Sequence, residues 1–222
     1  HAQTCMTEES ERLVVDSPSP QVGGYFGTMA QQYGDTLAIG ATGQSSVYIF
    51  NRDGNSWTYY QTLPVPQADG PMAIGDGVLA VASSAVESNR GRVRIFEPFP
   101  TGQWREVSNL QPSDLSGGAR FGHSVAISGS LLVVGARMDA SSRGAAYVFE
   151  RRTSDGAWVQ LAILDPGVSG WNEFGINVAI SDDTIFVAAV RGAGILGGGD
   201  GKVYVFNRTG PSTWSLGQII TD

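Results

Sequence analysis

Residues 121–164 read FGHSVAISGSLLVVGARMDASSRGAAYVFERRTSDGAWVQLAIL, and this stretch decides the fold. Apolar and small residues alternate over 121–127, and a nearly continuous apolar run follows over 131–136. Alternation is typical of a half-buried strand, whereas a continuous run is typical of a strand that is buried on both faces. Two more short apolar runs follow, at 145–149 and 158–164. The stretch therefore predicts four consecutive strands joined by two tight turns and one longer loop.

The same order of runs recurs along the chain with a period of about 50 residues. Each unit has an apolar residue followed by Phe in its third run and a Trp at the start of its fourth. The pairs are Ile49-Phe50, Ile95-Phe96, Val148-Phe149 and Val205-Phe206, and the tryptophans are Trp57, Trp104, Trp158 and Trp214. A repeat of this length with four strands is typical of a β-propeller blade. We predict an all-β protein, a β-propeller of four four-stranded blades at about 18–66, 67–113, 114–167 and 168–222.

A further strand is predicted in the N-terminal tail, residues 1–17. Residues 12–18, RLVVDSP, resemble the end of the third unit, yet they precede a first unit that already has four strands. Such a strand is either the remnant of a further blade or a segment that pairs with a sheet edge of its own or of another molecule. The single cysteine is either a free thiol or an intermolecular link. The intermolecular contacts predicted here are Cys5, Leu13, Val14 and Val15.

Net charge and hydropathy exclude two classes of partner. The formal charge is −7 at pH 7, which argues against a nucleic-acid backbone or an anionic membrane surface as the main partner. No apolar run approaches the ~20 residues that cross a bilayer. We therefore predict no nucleic-acid binding and no membrane insertion.

The repeated motifs resemble the FG-GAP repeat of integrin α-subunit propellers and of many secreted proteins. They are Phe121-Gly122, then VAI at 125–127, VGA at 134–136 and YVF at 147–149, and the resemblance covers residues from about 20 to 220. It implies a propeller in an extracellular, adhesive protein. Two departures stand out: Gly70-Pro71 replaces Phe-Gly in the second unit, and four blades are present where such propellers usually have seven.

The resemblance also implies a test for calcium, which some members bind through a D-x-D-x-D-G loop between the first two strands of a blade. Here the corresponding turns are 34–35, 75–77, 128–130 and 181–183, and none has three alternating acidic residues. Calcium requires six to eight oxygen ligands, so several carboxylates must converge on one loop. We therefore predict no metal site and no cofactor.

Three patterns were candidates for catalysis or cofactor binding, and none of them meets the requirements of that chemistry. His1 and His123 are the only histidines, and a copper site would require them to meet although they belong to an outer tail and an inner strand. Residues 192–197 fit G-x-G-x-x-G, but a strand rather than a helix is expected to follow. No serine lies in a G-x-S-x-G setting. We predict that the protein is not an enzyme; a lyase or hydrolase on a propeller scaffold is the remaining catalytic alternative.

The loops between the second and third strands of each unit are longer than the turns, so they should gather on one face with the segments that link the blades. Arginine mixed with aromatic residues is common in recognition surfaces, and the alternative is a merely solvated face. The predicted ligand-binding residues are Tyr25, Glu87, Arg90, Arg120, Arg137, Asp139, Arg143, Trp171, Arg191 and Asp200. Separately, the sequence 207–209, NRT, is a glycosylation sequon in the exposed hairpin expected between the last two strands of the fourth unit, and it predicts glycosylation at Asn207; the alternative is a plain turn.

These observations predict a secreted, non-catalytic binding or adhesion module that takes a protein or glycan ligand on its long-loop face. The alternative is a structural subunit of an extracellular filament or sheath. Its partners would be copies of itself, joined through sheet edges or through the N-terminal strand.

Overall fold

A computed structural model describes residues 14–167, 172–190 and 201–221. These residues form four antiparallel sheets, and each sheet is built from four strands that are consecutive in the chain. The strands are β1 Phe26–Tyr33, β2 Thr36–Ala41, β3 Ser46–Asp53, β4 Ser56–Pro64, β5 Met72–Gly75, β6 Val78–Ser83, β7 Arg92–Pro98, β8 Trp104–Leu110, β9 Phe121–Ser128, β10 Leu131–Ala136, β11 Ala145–Arg151, β12 Trp158–Leu164, β13 Asn177–Ser181, β14 Thr184–Ala189, β15 Lys202–Gly210 and β16 Thr213–Thr221. The predicted all-β class with four four-stranded blades is confirmed, and we number the blades 1 to 4 along the chain.

In blades 2 and 3 the second strand lies between two neighbours of its own sheet and between two other blades. In β10 all six residues are buried, and the strand pairs with β9 on one side and with β11 on the other. β6 is likewise buried along its whole length. A strand enclosed on both faces has no solvated side for polar residues, which is why these runs are continuously apolar.

Successive blades are joined by three hydrophobic clusters, one between each pair of neighbours. We call the face of a blade that is turned toward the preceding blade its leading face, and the opposite face its trailing face. The leading face of blade 3 carries Phe121, whose ring meets Tyr147 and Phe149 edge-on at centroid distances of 5.5 and 6.0 Å. The trailing face of blade 2 presents aliphatic residues such as Val93 and Ile95 to this trio.

The position of the recurring aromatic pair coincides with a bulge in every blade. The pairing of the third and fourth strands shifts register between Ile49 and Phe50 in blade 1 and at the equivalent pairs in the other three blades. A β-bulge bends the strand and increases its twist. The repeat signature in the sequence therefore marks the place where each blade is twisted.

The described residues form an arc of four blades. Clusters join blades 1 and 2, 2 and 3, and 3 and 4, but no hydrophobic cluster of the described residues joins blade 4 to blade 1. The leading face of blade 1 keeps its own cluster of Ile39, Ala41, Tyr48 and Phe50. One leading and one trailing face are thus left at the two ends of the arc.

The N-terminal tail is described only from Val14 onward, and residues 14–17 belong to none of the four sheets. Val15 packs against the cluster on the leading face of blade 1, whereas Val14 is exposed. The described part of the tail is held by this side-chain contact of Val15 rather than by a strand ladder, and just after the tail Gln44 Nε2 donates to the Ser19 carbonyl at 2.8 Å. Leu13 and Cys5 lie outside the described residues, so the contacts predicted for this tail stay predictions.

Within the described part of the chain, no helix is long and apolar enough to cross a membrane.

The glycine of the Phe-Gly pair allows two neighbouring blades to approach closely, so replacing it tests the packing between blades, which we call the joint. Gly122 has φ +86°, and a Cβ there would lie 3.0 Å from Ala82 Cβ and 3.1 Å from the Arg92 carbonyl oxygen of blade 2. Gly122→Ala should therefore lower the free energy of unfolding by about 2–4 kcal/mol, from left-handed strain plus overpacking. Urea denaturation followed by tryptophan fluorescence measures the change.

Gly129 in the turn after β9 is the matched control, because it also has positive φ, +56°, but nothing lies within 4 Å of a built Cβ. Gly129→Ala should cost only the left-handed strain, about 1–2 kcal/mol. Equal losses in the two variants would contradict the inference that close approach between the blades requires Gly122.

Candidate functional site

The antiparallel meander gives each blade two different ends. The tight turns after the first and third strands lie at one end, which we call the turn face. The loops between the second and third strands and the segments that link successive blades lie at the other end, which we call the loop face. The loop face includes the short turns Val86–Asn89 and Asp139–Ser142 and the 3-10 turn Thr42–Gln44.

The loop face has an unusual backbone. Ala140, Ser141 and Ser142 are three consecutive non-glycine residues with φ of 46°, 61° and 68°. Residues 87–89 repeat this arrangement in blade 2. Among the described residues, every non-glycine residue with positive φ lies on the loop face except Asp76 and Asp182, which lie in turns. A left-handed residue costs roughly 1–2 kcal/mol, so these turns persist only because specific contacts hold them.

Asp139 holds the blade 3 turn against the segment that links blades 2 and 3. Its carboxylate accepts hydrogen bonds from Ser116 N at 3.0 Å, Ser116 Oγ at 2.5 Å, Ala140 N at 2.9 Å and Tyr147 Oη at 2.6 Å. Burial raises the pKa of Asp139, but the hydrogen bonds from Ser116, Tyr147 and Ala140 outweigh it and leave the pKa below its usual range. Burial and the adjacent carboxylate raise the pKa of Tyr147. Asp139 is therefore ionised, buried and fully engaged within the protein.

In blade 2, Glu87 holds the left-handed turn against the segment that links blades 2 and 3. The Glu87 carboxylate accepts from Gln111 Nε2 at 2.6 Å and pairs with Arg92. Gln111 Nε2 also donates to the Gly91 carbonyl at 2.8 Å, and Arg90 Nη2 donates to the Leu115 carbonyl at 3.5 Å. The left-handed turn is again tied to the segment that links two blades.

A polar cluster lies where the inner strand β9 begins. Arg137 Nη1 is 2.6 Å from Glu173 Oε2, and both side chains are largely buried. Burial, and then the charges of Arg137 and Arg120, lower the pKa of His123. The imidazole is therefore neutral at physiological pH and lies in a field set by two guanidinium groups and one carboxylate. A cluster of this kind suits an anionic group, because the cations favour negative charge and a neutral imidazole can donate one hydrogen bond.

The structure places the predicted ligand-binding residues as follows. Arg143 Nη2 is 3.6 Å from Asp165 Oδ2 near the solvent, and Tyr25 is exposed at the blade 1 end of the arc. Arg120 is half-buried in the cluster around His123. Trp171, Arg191 and Asp200 lie outside the described residues. The described members thus share one face, and most of them make contacts between a loop and the neighbouring segment.

Sequence reasoning missed residues that hold this face together, among them Ser116, Gln111 and Glu173. Glu173 occupies the position immediately before Phe174-Gly175, as Arg120 does before Phe121-Gly122, and both have positive φ. This shared position was the signal that could have found Glu173. Nothing comparable marks Ser116, because its role depends on the fold of the Asp139 turn.

The expected hairpin position of Asn207 is wrong, because the residue lies within β15. It is exposed, and its Oδ1 accepts from Thr184 Oγ1 at 3.3 Å. Its glycosylation stays a prediction. Across the described ranges, no group of three or more His, Cys, Asp or Glu side chains converges in a way that could hold a metal ion.

Comparison with known proteins supports the fold. Residues 104–149 match the family model of the FG-GAP repeat, a span that runs from β8 into β11. No curated protein matches the chain. Among solved structures, a Bacteroides uniformis protein assigned as a 6-phosphogluconolactonase aligns with a TM-score of 0.60 and 12% identity, over 85% of this chain and 52% of its own. That fold is a seven-bladed β-propeller, and this chain spans about half its length.

The predicted FG-GAP resemblance is confirmed for residues 104–149, and the propeller architecture is confirmed by the fold. At 12% identity the solved structure shows the fold alone.

Replacing the Asp139 carboxylate should destabilise the protein in a pH-dependent way. Asp139→Asn should lower the free energy of unfolding at pH 7 by about 2–4 kcal/mol, because hydrogen bonds to a charged acceptor are lost or inverted. Folding lowers the pKa of Asp139. The ionised carboxylate therefore stabilises the fold at pH values above its pKa in the unfolded chain, about 4, and this stabilisation is lost as the pH falls through its pKa in the folded protein. The difference in the free energy of unfolding between wild type and Asp139→Asn should therefore become smaller in acid, as measured by urea titrations from pH 7 to pH 3.

The control is Asp155→Asn on the turn face, where the carboxylate is exposed and pairs with Arg152 at 2.6 Å. It should change stability much less than Asp139→Asn. A gap for Asp139→Asn that stays constant down to pH 3 would contradict the ionised, hydrogen-bonded state of this side chain.

The His123 cluster can be tested by NMR titration. Arg137→Gln should raise the pKa of His123, because it removes a nearby cation and leaves Glu173 without its partner. Arg152→Gln on the turn face should leave that pKa unchanged. An unchanged pKa in Arg137→Gln would mean that burial and the charge of Arg120 account for the lowered pKa of His123 without Arg137. With the folded pKa below the unfolded one, wild-type stability should fall as pH drops below about 6.5.

Proposed function

We propose that this protein is a secreted, non-catalytic binding or adhesion module that takes a protein or glycan ligand on its loop face. The observation that carries the proposal is the concentration of left-handed, non-glycine backbone on that face. Strained backbone persists where the surrounding structure fixes it, and it clusters at sites that bind ligands. Rigid loops present their side chains to a ligand with little loss of conformational entropy on binding.

The charges of the face favour a ligand that carries carboxylates. Two cations of this face are partly exposed: Arg120, in the cluster at His123, and Arg143, whose Nη2 is 3.6 Å from the solvent-exposed Asp165 carboxylate. Guanidinium groups bind carboxylates through paired hydrogen bonds. Acidic glycans and acidic protein segments both offer such groups.

A binding role fits the residues of the cluster better than catalysis. Arg137 and Glu173 are paired with each other, and both carboxylate oxygens of Asp139 accept hydrogen bonds from the protein itself. In the described part of the chain, no Ser or Cys side chain makes a hydrogen bond to His123, as a nucleophile activated by this imidazole would. The assignment as a 6-phosphogluconolactonase is that of the similar solved structure, and at 12% identity it gives no reason to propose this activity here.

An extracellular location is part of the same proposal. FG-GAP repeats are typical of extracellular proteins, and the chain has a net charge of −7. The exposed Asn207 would then be available for glycosylation.

The second candidate function is a structural subunit of an extracellular filament or sheath. The observation that favours it is the outer strand β16, which is largely exposed and carries the exposed apolar residues Leu216, Ile219 and Ile220. An exposed apolar edge strand is a template for association with another chain.

Binding to a carboxylated polysaccharide tests the leading proposal. Calorimetry with polygalacturonate as the probe should show binding that weakens with added salt, and neutral amylose should bind less. The double variant Arg120→Gln with Arg143→Gln should weaken polygalacturonate binding about tenfold or more, since two charge-assisted contacts are lost.

The matched control is Arg105→Gln with Arg152→Gln, which removes the same charge near the turn face; Arg105 stacks on Phe99 and Arg152 pairs with Asp155. Equal weakening in both double variants would show that only net charge matters and would contradict a loop-face site. If polygalacturonate does not bind at all, an array of glycans and extracellular proteins is screened, and binding that withstands the loop-face variant rules this face out.

A further inference from the structure

One short motif occurs twice on the loop face. Residues 88–91 read SNRG in blade 2, and residues 141–144 read SSRG in blade 3. The first two residues of each motif are left-handed, with φ of 57° and 63° in blade 2 and of 61° and 68° in blade 3. Arg90 and Arg143 then return to right-handed geometry, with φ of −66° and −65°. The motif therefore places an arginine at the same point of two neighbouring blades.

Each of these arginines lies where its loop meets the first strand of the next blade. The Arg90 carbonyl accepts a hydrogen bond from Phe121 N at 2.9 Å. The Arg143 carbonyl accepts one from Phe174 N at 3.1 Å. Because the same backbone contact holds both residues, Arg90 at the joint of blades 2 and 3 and Arg143 at the joint of blades 3 and 4 are related by one step of the blade repeat.

The two side chains make few contacts within the protein. Arg90 Nη2 donates to the Leu115 carbonyl at a long 3.5 Å. Arg143 Nη2 is 3.6 Å from Asp165 Oδ2. In the described part of the chain, Nε of Arg90 and Nε of Arg143 have no hydrogen-bond partner. A guanidinium group has five N–H donors, so the protein itself uses few of the donors of these two arginines.

Arg208 on the turn face shows how an arginine with a structural role differs. Its Nε donates to the Gly210 carbonyl at 3.2 Å, and its Nη2 donates to Glu150 Oε1 of blade 3 at 3.0 Å. Its guanidinium group also lies 5.0 Å from the ring centroid of Trp214. Arg208 therefore joins blades 3 and 4 through several contacts, and the arginines of the SNRG and SSRG motifs have no such set.

A third arginine, Arg120, lies at the joint of blades 2 and 3. Its backbone N donates to the Asn89 carbonyl at 2.8 Å, which places Arg120 beside the SNRG motif. Across the described residues, no carboxylate pairs with its side chain. The equivalent residue at the next joint is Glu173, which pairs with Arg137. The first joint thus offers two arginines, Arg90 and Arg120, and the second offers Arg143.

The surface around these arginines is polar. The loops 84–92 and 137–144 and the linking segment 111–120 contain no exposed large hydrophobic side chain. Protein partners are typically anchored by aromatic and aliphatic side chains, so this surface offers little to an acidic protein segment beyond charge. Ser88 and Ser141, the first residues of the two motifs, are exposed and can hydrogen-bond the hydroxyl groups of a sugar. Arginine with exposed hydroxyls therefore favours an acidic glycan.

We propose that the ligand of the loop face is a linear acidic glycan that spans two joints, with one acidic sugar at Arg90 and Arg120 and another at Arg143. This inference rests on the proposed function and adds that the ligand is a polymer. The two joints repeat the same chemistry at the spacing of one blade, and a polymer with an acidic group on each sugar offers matching groups at regular spacing. Once one site is occupied, binding at the second is intramolecular, so affinity rises with chain length.

Galacturonate oligomers of increasing length test the proposal by calorimetry. A decamer should bind about a hundredfold or more tightly than the monomer, because only the decamer reaches both joints. Arg90→Gln and Arg143→Gln should each weaken binding of the decamer about tenfold or more. Each should change monomer affinity only about twofold, because one of the two sites remains in each variant.

Arg152→Gln on the turn face is the matched control and should leave the affinities of the decamer and the monomer unchanged, because Arg152 pairs with Asp155 away from both joints. Circular dichroism should show an unchanged β spectrum for each variant. If Arg90→Gln does not fold, Arg90→Lys is the second variant; it keeps the charge, loses the planar pair of donors and should still weaken decamer binding.

A monomer that binds as tightly as the decamer would overturn a ligand that spans two joints. So would decamer binding that withstands Arg90→Gln but is weakened by Arg120→Gln with Arg143→Gln; in both cases the proposed loop-face function would stand. Tighter binding of a polyglutamate of ten residues than of the decamer would overturn the inference in favour of an acidic protein segment. Absence of binding by either polymer would contradict an acidic ligand altogether.

Discussion

The structure depends on close packing of one blade on the next at the Phe-Gly step. A phenylalanine ring lies edge-on to two rings of its own blade, and the glycine after it lets the backbone approach the preceding blade. A side chain at Gly122 would meet Ala82 and the Arg92 carbonyl. Phe121-Gly122 and Phe174-Gly175 make this joint between blades 2 and 3 and between blades 3 and 4. Blade 2 has Gly70-Pro71 instead, and its joint to blade 1 is an apolar cluster that includes Val65, Met72 and Phe96.

The loop face is a consequence of the same joints. The segment that links two blades must cross from the fourth strand of one blade to the first strand of the next, and there it meets the loop between the second and third strands. Asp139 ties these two elements together in blade 3 through Ser116, and Glu87 does so in blade 2 through Gln111. The left-handed turns are tolerated because each carboxylate holds its turn against the linking segment. Loop-face geometry and blade packing are therefore coupled.

Many of the polar residues of this face make contacts within the protein and are not free to bind a ligand. Asp139 and the Arg137–Glu173 pair are largely buried, while Arg120, Arg143 and Tyr25 keep access to solvent. A ligand would thus meet a few exposed groups on a scaffold fixed by buried ones. On the proposed function, this division of roles would let a rigid face discriminate between ligands.

The sequence by itself determined the all-β class, the four blades, the order of strands within each blade and the polarity of the strands, because these follow from local periodicity and from a repeat that is visible without a structure. It also grouped the loop-face residues, since a meander of four strands puts every second connection at the same end. Only the tertiary structure showed which of these side chains are engaged within the protein. Asp139 is buried and accepts four hydrogen bonds, and Arg137 pairs with Glu173 of the next blade. It alone showed that the described blades form an open arc with Ile220 uncovered. Contacts between blades depend on distances across the joints, and a residue pattern within one blade contains no information about these distances.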